Sequence, residues 1–118
     1  MVRRSTAHES HRSARREQIV VAAARAIEEY GPGVGTAQIA ERAGVARPHV
    51  YRHFHSKEDL EREVLRFAAD QLIDTVRPAL RVSGTAPAII EGVIGAAIGW
   101  AAGHPNLYRF MAARQQNK

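Results

Sequence analysis

Arg47, His49, Tyr51, Arg52 and His53 crowd five hydrogen-bonding side chains into residues 47–53. Side chains of these types can grip phosphates and read base edges, and a short helix rich in donors suits the major groove of DNA. The stretch around them, residues 36–60 (TAQIAERAGVARPHVYRHFHSKEDL), is patterned to present such a helix. It reads as two short helices around a glycine turn, followed at once by a capped third helix. That arrangement is a helix-turn-helix.

The charge is distributed to match. Residues 1–57 hold ten Arg/Lys against five Glu, a net of +5, whereas residues 58–118 hold seven basic and seven acidic residues. The whole excess positive charge therefore lies in the half with the motif, as a phosphate-binding surface requires. A solvated charge run is the plainer reading of such a patch taken alone.

Other chemistries lack their residues. The chain has no cysteine, so disulfides, thiolate metal sites and cysteine nucleophiles are excluded. His49 and His53 stand one helical turn apart with His55 nearby, but no carboxylate or cysteine completes a set, and no metal is expected. There is no P-loop, dinucleotide-binding glycine pattern or nucleophile motif. Gly31-Pro32-Gly33-Val34-Gly35 follows a helix rather than a strand and reads as a loop. The chain is expected to be neither an enzyme nor the holder of a cofactor.

The elements that must position the motif can be read from periodicity. Residues 1–12 are polar and without apolar rhythm, which predicts a disordered basic arm. Ile19, Ala23, Ala26, Ile27 and Tyr30 mark one face of a helix that Gly31-Pro32 ends. Thr36 is the expected N-cap of a second helix with Ile39, Ala40 and Ala43 inward. Gly44 gives the turn and Val45 plugs it. A third helix starts near Arg47, tolerates Pro48 in its first turn, and turns Val50 and Phe54 to the core. Ser56 caps a fourth helix, whose stripe of Leu60, Val64, Phe67, Ala68, Leu72 and Val76 continues until Pro78 ends or bends it. Thr85 caps a fifth, about 86–102, apolar on most sides, whose Gly92, Gly95 and Gly99 predict close approach of another helix. Asn106 is placed to cap a last one. No strand-like alternation stands out, so the fold class is all-α.

Length and composition, 118 residues with 45% hydrophobic, suit a single globular domain or slightly more. The most apolar stretch, Ala86 to Ala102, contains Pro87 and Glu91, and no membrane span is expected. The N-terminal arginines are followed by no apolar run, so no signal peptide is expected and a cytoplasmic protein fits.

Thr36, Ile39-Ala40, Ala43-Gly44-Val45, Tyr51, Phe54 and Lys57-Glu58-Asp59-Leu60 together resemble the DNA-binding domain of the tetracycline-repressor-like (TetR) family of bacterial transcriptional regulators. The resemblance covers about residues 13–77, and the later His104-Pro105-Asn106-Leu107 and Arg109-Phe110 extend it more weakly. It implies a three-helix DNA-binding domain over 13–57, followed over 58–118 by the first helices of a helical ligand-binding and dimerisation domain. It implies a repressor that binds a palindromic double-stranded DNA operator as a homodimer and lets go when a small-molecule effector enters the C-terminal domain.

Carried over by position, Arg47, Pro48 and His49 would face base edges, with Arg47 able to take guanine O6 and N7 together. Tyr51 and His53 would approach phosphates, with Tyr51 also able to touch a base, Arg52 would reach a base or a phosphate, and Lys57 a phosphate. Thr36 and Gln38 would meet the backbone from the second helix. Arg3, Arg4, Arg12, Arg15 and Arg16 would form an arm able to reach a minor groove, or a solvated tail. Phe67, Trp100, Tyr108, Phe110 and Met111 are the effector-pocket candidates, although ordinary core is their plainer reading.

Two departures stand out. Ala46 replaces the Ser or Thr common in the family, which removes a capping hydroxyl worth ~1 kcal/mol. The chain also stops at Lys118, about half the usual family length, without the helices that usually pair two subunits. It is expected to be a fragment, or to dimerise by another surface. The competing expectation is a small-molecule-binding or protein-interaction helical module whose DNA binding is weak or lost.

Overall fold

The computed structural model describes the backbone of residues 2–116 and the side chains of residues 12–114. Six helices follow one another: α1 Val2–Tyr30, α2 Thr36–Ala43, α3 Arg47–His53, α4 Lys57–Leu80, α5 Ala86–Gly103 and α6 Pro105–Gln116. There is no strand among the described residues. The all-α expectation holds.

The apolar stripes meet in one core. Ile19, Ala23 and Ile27 of α1 pack with Ile39 of α2, Val50 of α3, Phe54, and Leu60 and Val64 of α4. Trp100 of α5 and Leu107 and Phe110 of α6 join the same cluster. α1 is the hub, touching α2, α3, α4 and α6.

Two glycines set the corners. Gly31 takes φ 105° and donates its N–H to the Ile27 carbonyl at 2.8 Å, ending α1. Gly44 takes φ 73°, and the pairs Val45 N–H to Ala40 O (3.0 Å) and Gly44 N–H to Glu41 O (3.1 Å) close α2 in the Schellman pattern. A side chain at Gly44 would strain that turn, and with it the angle between α2 and α3.

The caps agree with expectation at two helices and differ at two. Ser56 accepts from the Asp59 N–H at 3.1 Å, and Thr85 accepts from Ala88 at 3.3 Å. The N-cap of α2 is Gly35, not Thr36, whose hydroxyl is engaged elsewhere. Asn106 does not cap α6. Glu28 reaches across from α1 instead, accepting from the N–H groups of Asn106 (3.4 Å) and Leu107 (3.2 Å). The Asn106 amide donates to the Glu28 carbonyl at 2.9 Å, so the start of α6 is tied to the last turn of α1. A carboxylate there also meets the positive end of the α6 dipole.

Three further expectations are corrected. No proline or glycine interrupts residues 2–30, and α1 runs unbroken from Val2 rather than beginning after a disordered arm. Pro78 lies inside α4, which ends two residues later at Leu80; a proline so near the C-terminus costs one hydrogen bond without stopping the last turn. A Cβ added at Gly92 would lie 3.5 Å from the Ala79 Cβ, an ordinary contact, and one added at Gly95 or Gly99 would meet nothing within 4 Å, so none of the three serves a close approach. α5 is long and apolar enough, by length and composition alone, to cross a membrane. Its contacts with α4 and α6 and its buried Trp100 place it in the helical body.

Candidate nucleic-acid interface

α3 is a seven-residue helix, and the burial of Val50 (0% exposed) and Phe54 (1%) fixes how it sits. At about 100° per residue the other side chains fall in three rows. Pro48 and Arg52 lie opposite Val50 and point furthest from the body. Arg47 and Tyr51 flank them on one side, His49 and His53 on the other. Arg47, Pro48, Tyr51 and Arg52 are exposed, and the two histidines are half-buried. Among the described residues no carboxylate pairs with Arg47 or Arg52, so both guanidinium groups are available.

Each flanking row is braced by a different helix. On one side the Tyr51 hydroxyl lies 3.0 Å from the Thr36 hydroxyl, joining α3 to the start of α2. Thr36 is buried, so this bond satisfies its oxygen as well as aiming the phenol. Two residues expected to meet the backbone separately are thus one unit. On the other side Arg16 of α1 donates from Nε to the His53 carbonyl at 3.4 Å and from its terminal nitrogen to Glu63 of α4 at 3.3 Å. Its guanidinium lies 4.7 Å from the centre of the Phe54 ring. One side chain therefore ties α1, the C-terminal end of α3 and α4 together, and supplies a donor to an otherwise free helix-end carbonyl.

The N-terminal end of α3 has no such brace. Ala46 offers no capping side chain, as its type predicts. Backbone alone holds this end, the His49 N–H bonding the Ala46 carbonyl at 2.9 Å. Pro48 in the first turn limits what that costs, since its missing N–H would have lacked a partner.

His49 and His53 meet edge to face, ring centres 5.3 Å apart. Burial holds the His53 imidazole below its ordinary pKa, and the charges of His49, Arg15, Arg12 and Arg16 push the same way. Arg12, Arg15 and Arg16 lie on α1, and their positive charges reach the C-terminal end of α3. The side chains of Arg3 and Arg4 lie outside the described residues. Lys57, half-buried, opens α4 just beyond, and Gln38 is exposed on α2.

The effector-pocket candidates are not gathered in the same way. Trp100 and Phe110 belong to the core and Met111 packs against it, whereas Tyr108 is exposed. Phe67 lines a groove of about 370 Å³ between α1, α4 and the α5–α6 corner, with Arg25, Glu28 and His104 also on its walls.

Sequence reasoning missed Arg16 as a clamp and Glu28 as a cap. Both carried a faint signal: Arg16 precedes Ile19 by three and Glu28 follows Ala24 by four, which puts each beside the buried stripe. The Thr36–Tyr51 bond had none, because nothing local links residues fifteen apart.

A family model described as bacterial regulatory proteins, tetR family, matches residues 19–64. The chain is similar to the HTH-type transcriptional activator FasR of Mycolicibacterium smegmatis, 41% identical over 73 residues, which are 61% of this chain and 33% of the relative. It is similar to the nucleoid occlusion factor SlmA of a Marinomonas species, 29% identical over 100 residues, covering 84% of this chain and 51% of that one. An uncharacterised HTH-type transcriptional regulator of Mycobacterium tuberculosis is 30% identical over 104 residues, or 87% of this chain and 44% of the relative. The chain thus spans between a third and a half of the length of these curated relatives.

Proposed function

This chain belongs to the tetR family of bacterial regulatory proteins through residues 19–64, and on that footing we propose that it is a sequence-specific DNA-binding regulator of transcription that reads its site with α3. The observation that carries this is the outward side of α3, where Arg52, opposite Val50, and Arg47, in the flanking row with Tyr51, stand exposed and pair with no carboxylate among the described residues. Arg47, Pro48, His49 and Arg52 meet base edges. Tyr51, held by Thr36, and His53, Lys57 and Gln38 meet phosphates on either side.

One α3 reads one half-site, so the regulator works as a homodimer on a palindromic operator with half-sites about one helical turn apart, roughly 34–36 Å. A small molecule bound by the helices after α3 releases it. The resemblance implies repression, whereas FasR is by name an activator. The sign of control rests on where the operator lies relative to the promoter, since α1–α3 do the same thing in either case. As a soluble regulator it acts in the cytoplasm.

Retention of fragmented genomic DNA at fixed, moderate salt tests the reading. Selective capture of a few fragments by the chain, lost in an Arg47→Ala, Arg52→Ala double variant that stays helical, supports it. Equal capture by the double variant sinks the assignment of α3, and indiscriminate or absent retention sinks sequence-specific binding. A light-scattering mass on the captured complex gives the stoichiometry.

A further inference from the structure

We infer that the His49–His53 pair at the C-terminal end of α3 makes DNA binding proton-linked, His53 taking up one proton from solvent as a phosphate reaches it, so that affinity rises as pH falls. This rests on the DNA-binding reading of α3 and adds a regulation to it.

The geometry supplies both halves of the linkage. In the free protein His53 is ringed by positive or chargeable groups. His49 touches it from α3, and Arg12, Arg15 and Arg16 approach from α1. The α4 carboxylates Asp59 and Glu63 are held elsewhere, Asp59 by the His55 N–H and Arg62, Glu63 by Arg16. The His53 backbone carbonyl takes the Arg16 Nε, but among the described residues no protein group hydrogen-bonds its ring nitrogens. Partial burial and four like-charged neighbours disfavour the imidazolium, so the free ring stays neutral at neutral pH.

A phosphate at this spot reverses the balance. Its negative charge offsets the arginines, and its oxygens accept from a protonated ring nitrogen. The proton comes from solvent and stays on the imidazole, with no bond broken in the DNA. The pKa of His53 in the complex therefore lies above its value in the free protein. Added affinity is then fully present below the free value and disappears as pH rises through the bound value.

The test is affinity for a 30-base-pair random-sequence duplex between pH 6.0 and 7.5, at constant ionic strength, for the natural protein, His53→Gln and His49→Gln. One proton gives at most about tenfold per pH unit. The natural protein should tighten roughly three- to tenfold more than His53→Gln over this range. His49→Gln removes one repelling neighbour, so its tightening should begin at higher pH. Imidazole resonances of His53, followed by NMR with and without the duplex, should show its titration moving up on binding. Identical pH profiles for the natural protein and His53→Gln, or an unmoved His53 titration in the complex, overturn the linkage while leaving DNA binding intact. Failure to bind the duplex at any pH overturns the DNA-binding reading itself.

Discussion

The two ends of α4 live in different surroundings. At its start Leu60, Val64 and Ala68 are sealed against α1 and Phe54. Toward its end Ile73 and Leu80 lie open, and the α5 residues beside them continue the exposure: Ile90, Ile94 and Ile98 are 57%, 52% and 63% exposed. Those three isoleucines stand four apart, so they form a single stripe along one face. Apolar side chains thus close a core around α3 and leave an open face along α5. Apolar pattern states which side wants burial; it takes a partner helix at the right distance to bury it. The half that presents the recognition surface is the half whose apolar side chains are sealed in the core, with Trp100, Leu107 and Phe110 helping to close it. That suits its proposed task, because a helix that reads base edges must be held to within fractions of an ångström.

The sharpest contrast is between core residues at the two ends. Phe54→Ala should cost about 3–5 kcal/mol in urea unfolding, because a fully buried ring leaves a cavity between α1, α3 and α4. Ile94→Ala on the open face should change stability by no more than about 0.5 kcal/mol. A large loss at Ile94 would mean that the α5 face is covered in solution.

The braces come next. Arg16→Met keeps the stem but loses the contacts to the His53 carbonyl and Glu63, and should cost about 1 kcal/mol. It should also loosen the C-terminal end of α3, seen as faster amide exchange at His53 and Phe54. Glu28→Ala strips α6 of its cap from α1 and should cost about 1 kcal/mol, with Glu28→Gln recovering part through its amide oxygen. Tyr51→Phe frees a buried Thr36 hydroxyl and should cost roughly 0.5–1.5 kcal/mol by the same measurement.

The smallest effect is on acid stability. The His53 pKa in the folded protein lies below its ordinary 6.5, so folding disfavours the protonated ring. Stability from this group is intact above about 6.5 and falls as pH drops through that value toward the folded one. His53→Gln should flatten that fall in thermal unfolding followed from pH 7.5 to 5.5. A steeper fall in the variant would reverse the sign.

What was legible in the sequence divides along the same line. Around α3, local rules sufficed. Val50 and Phe54 four apart named the inward face, Gly44 named the turn, Ser56 named a cap, and together they placed Arg47 and Arg52 outward. Interactions between residues far apart in the chain stayed hidden, because neither propensity nor period encodes which helix ends up beside another. The Glu28 cap of α6, the Arg16 clamp and the Thr36–Tyr51 bond are all of this kind. In α5 the difficulty was different: a helix apolar on most sides gives no phase, so its buried Trp100 and its exposed isoleucines look alike in sequence.

The central claim is that α3 reads DNA sequence from its exposed side, with Arg52 opposite Val50 and Arg47 flanking it. Selection of bound duplexes from a random library, run side by side with the natural protein and Arg47→Ala, tests it most directly. The account predicts one enriched motif for the natural protein, and for Arg47→Ala the same motif with its preference relaxed at one base pair, by about 1–3 kcal/mol. An unchanged motif with unchanged preference at every position would contradict it.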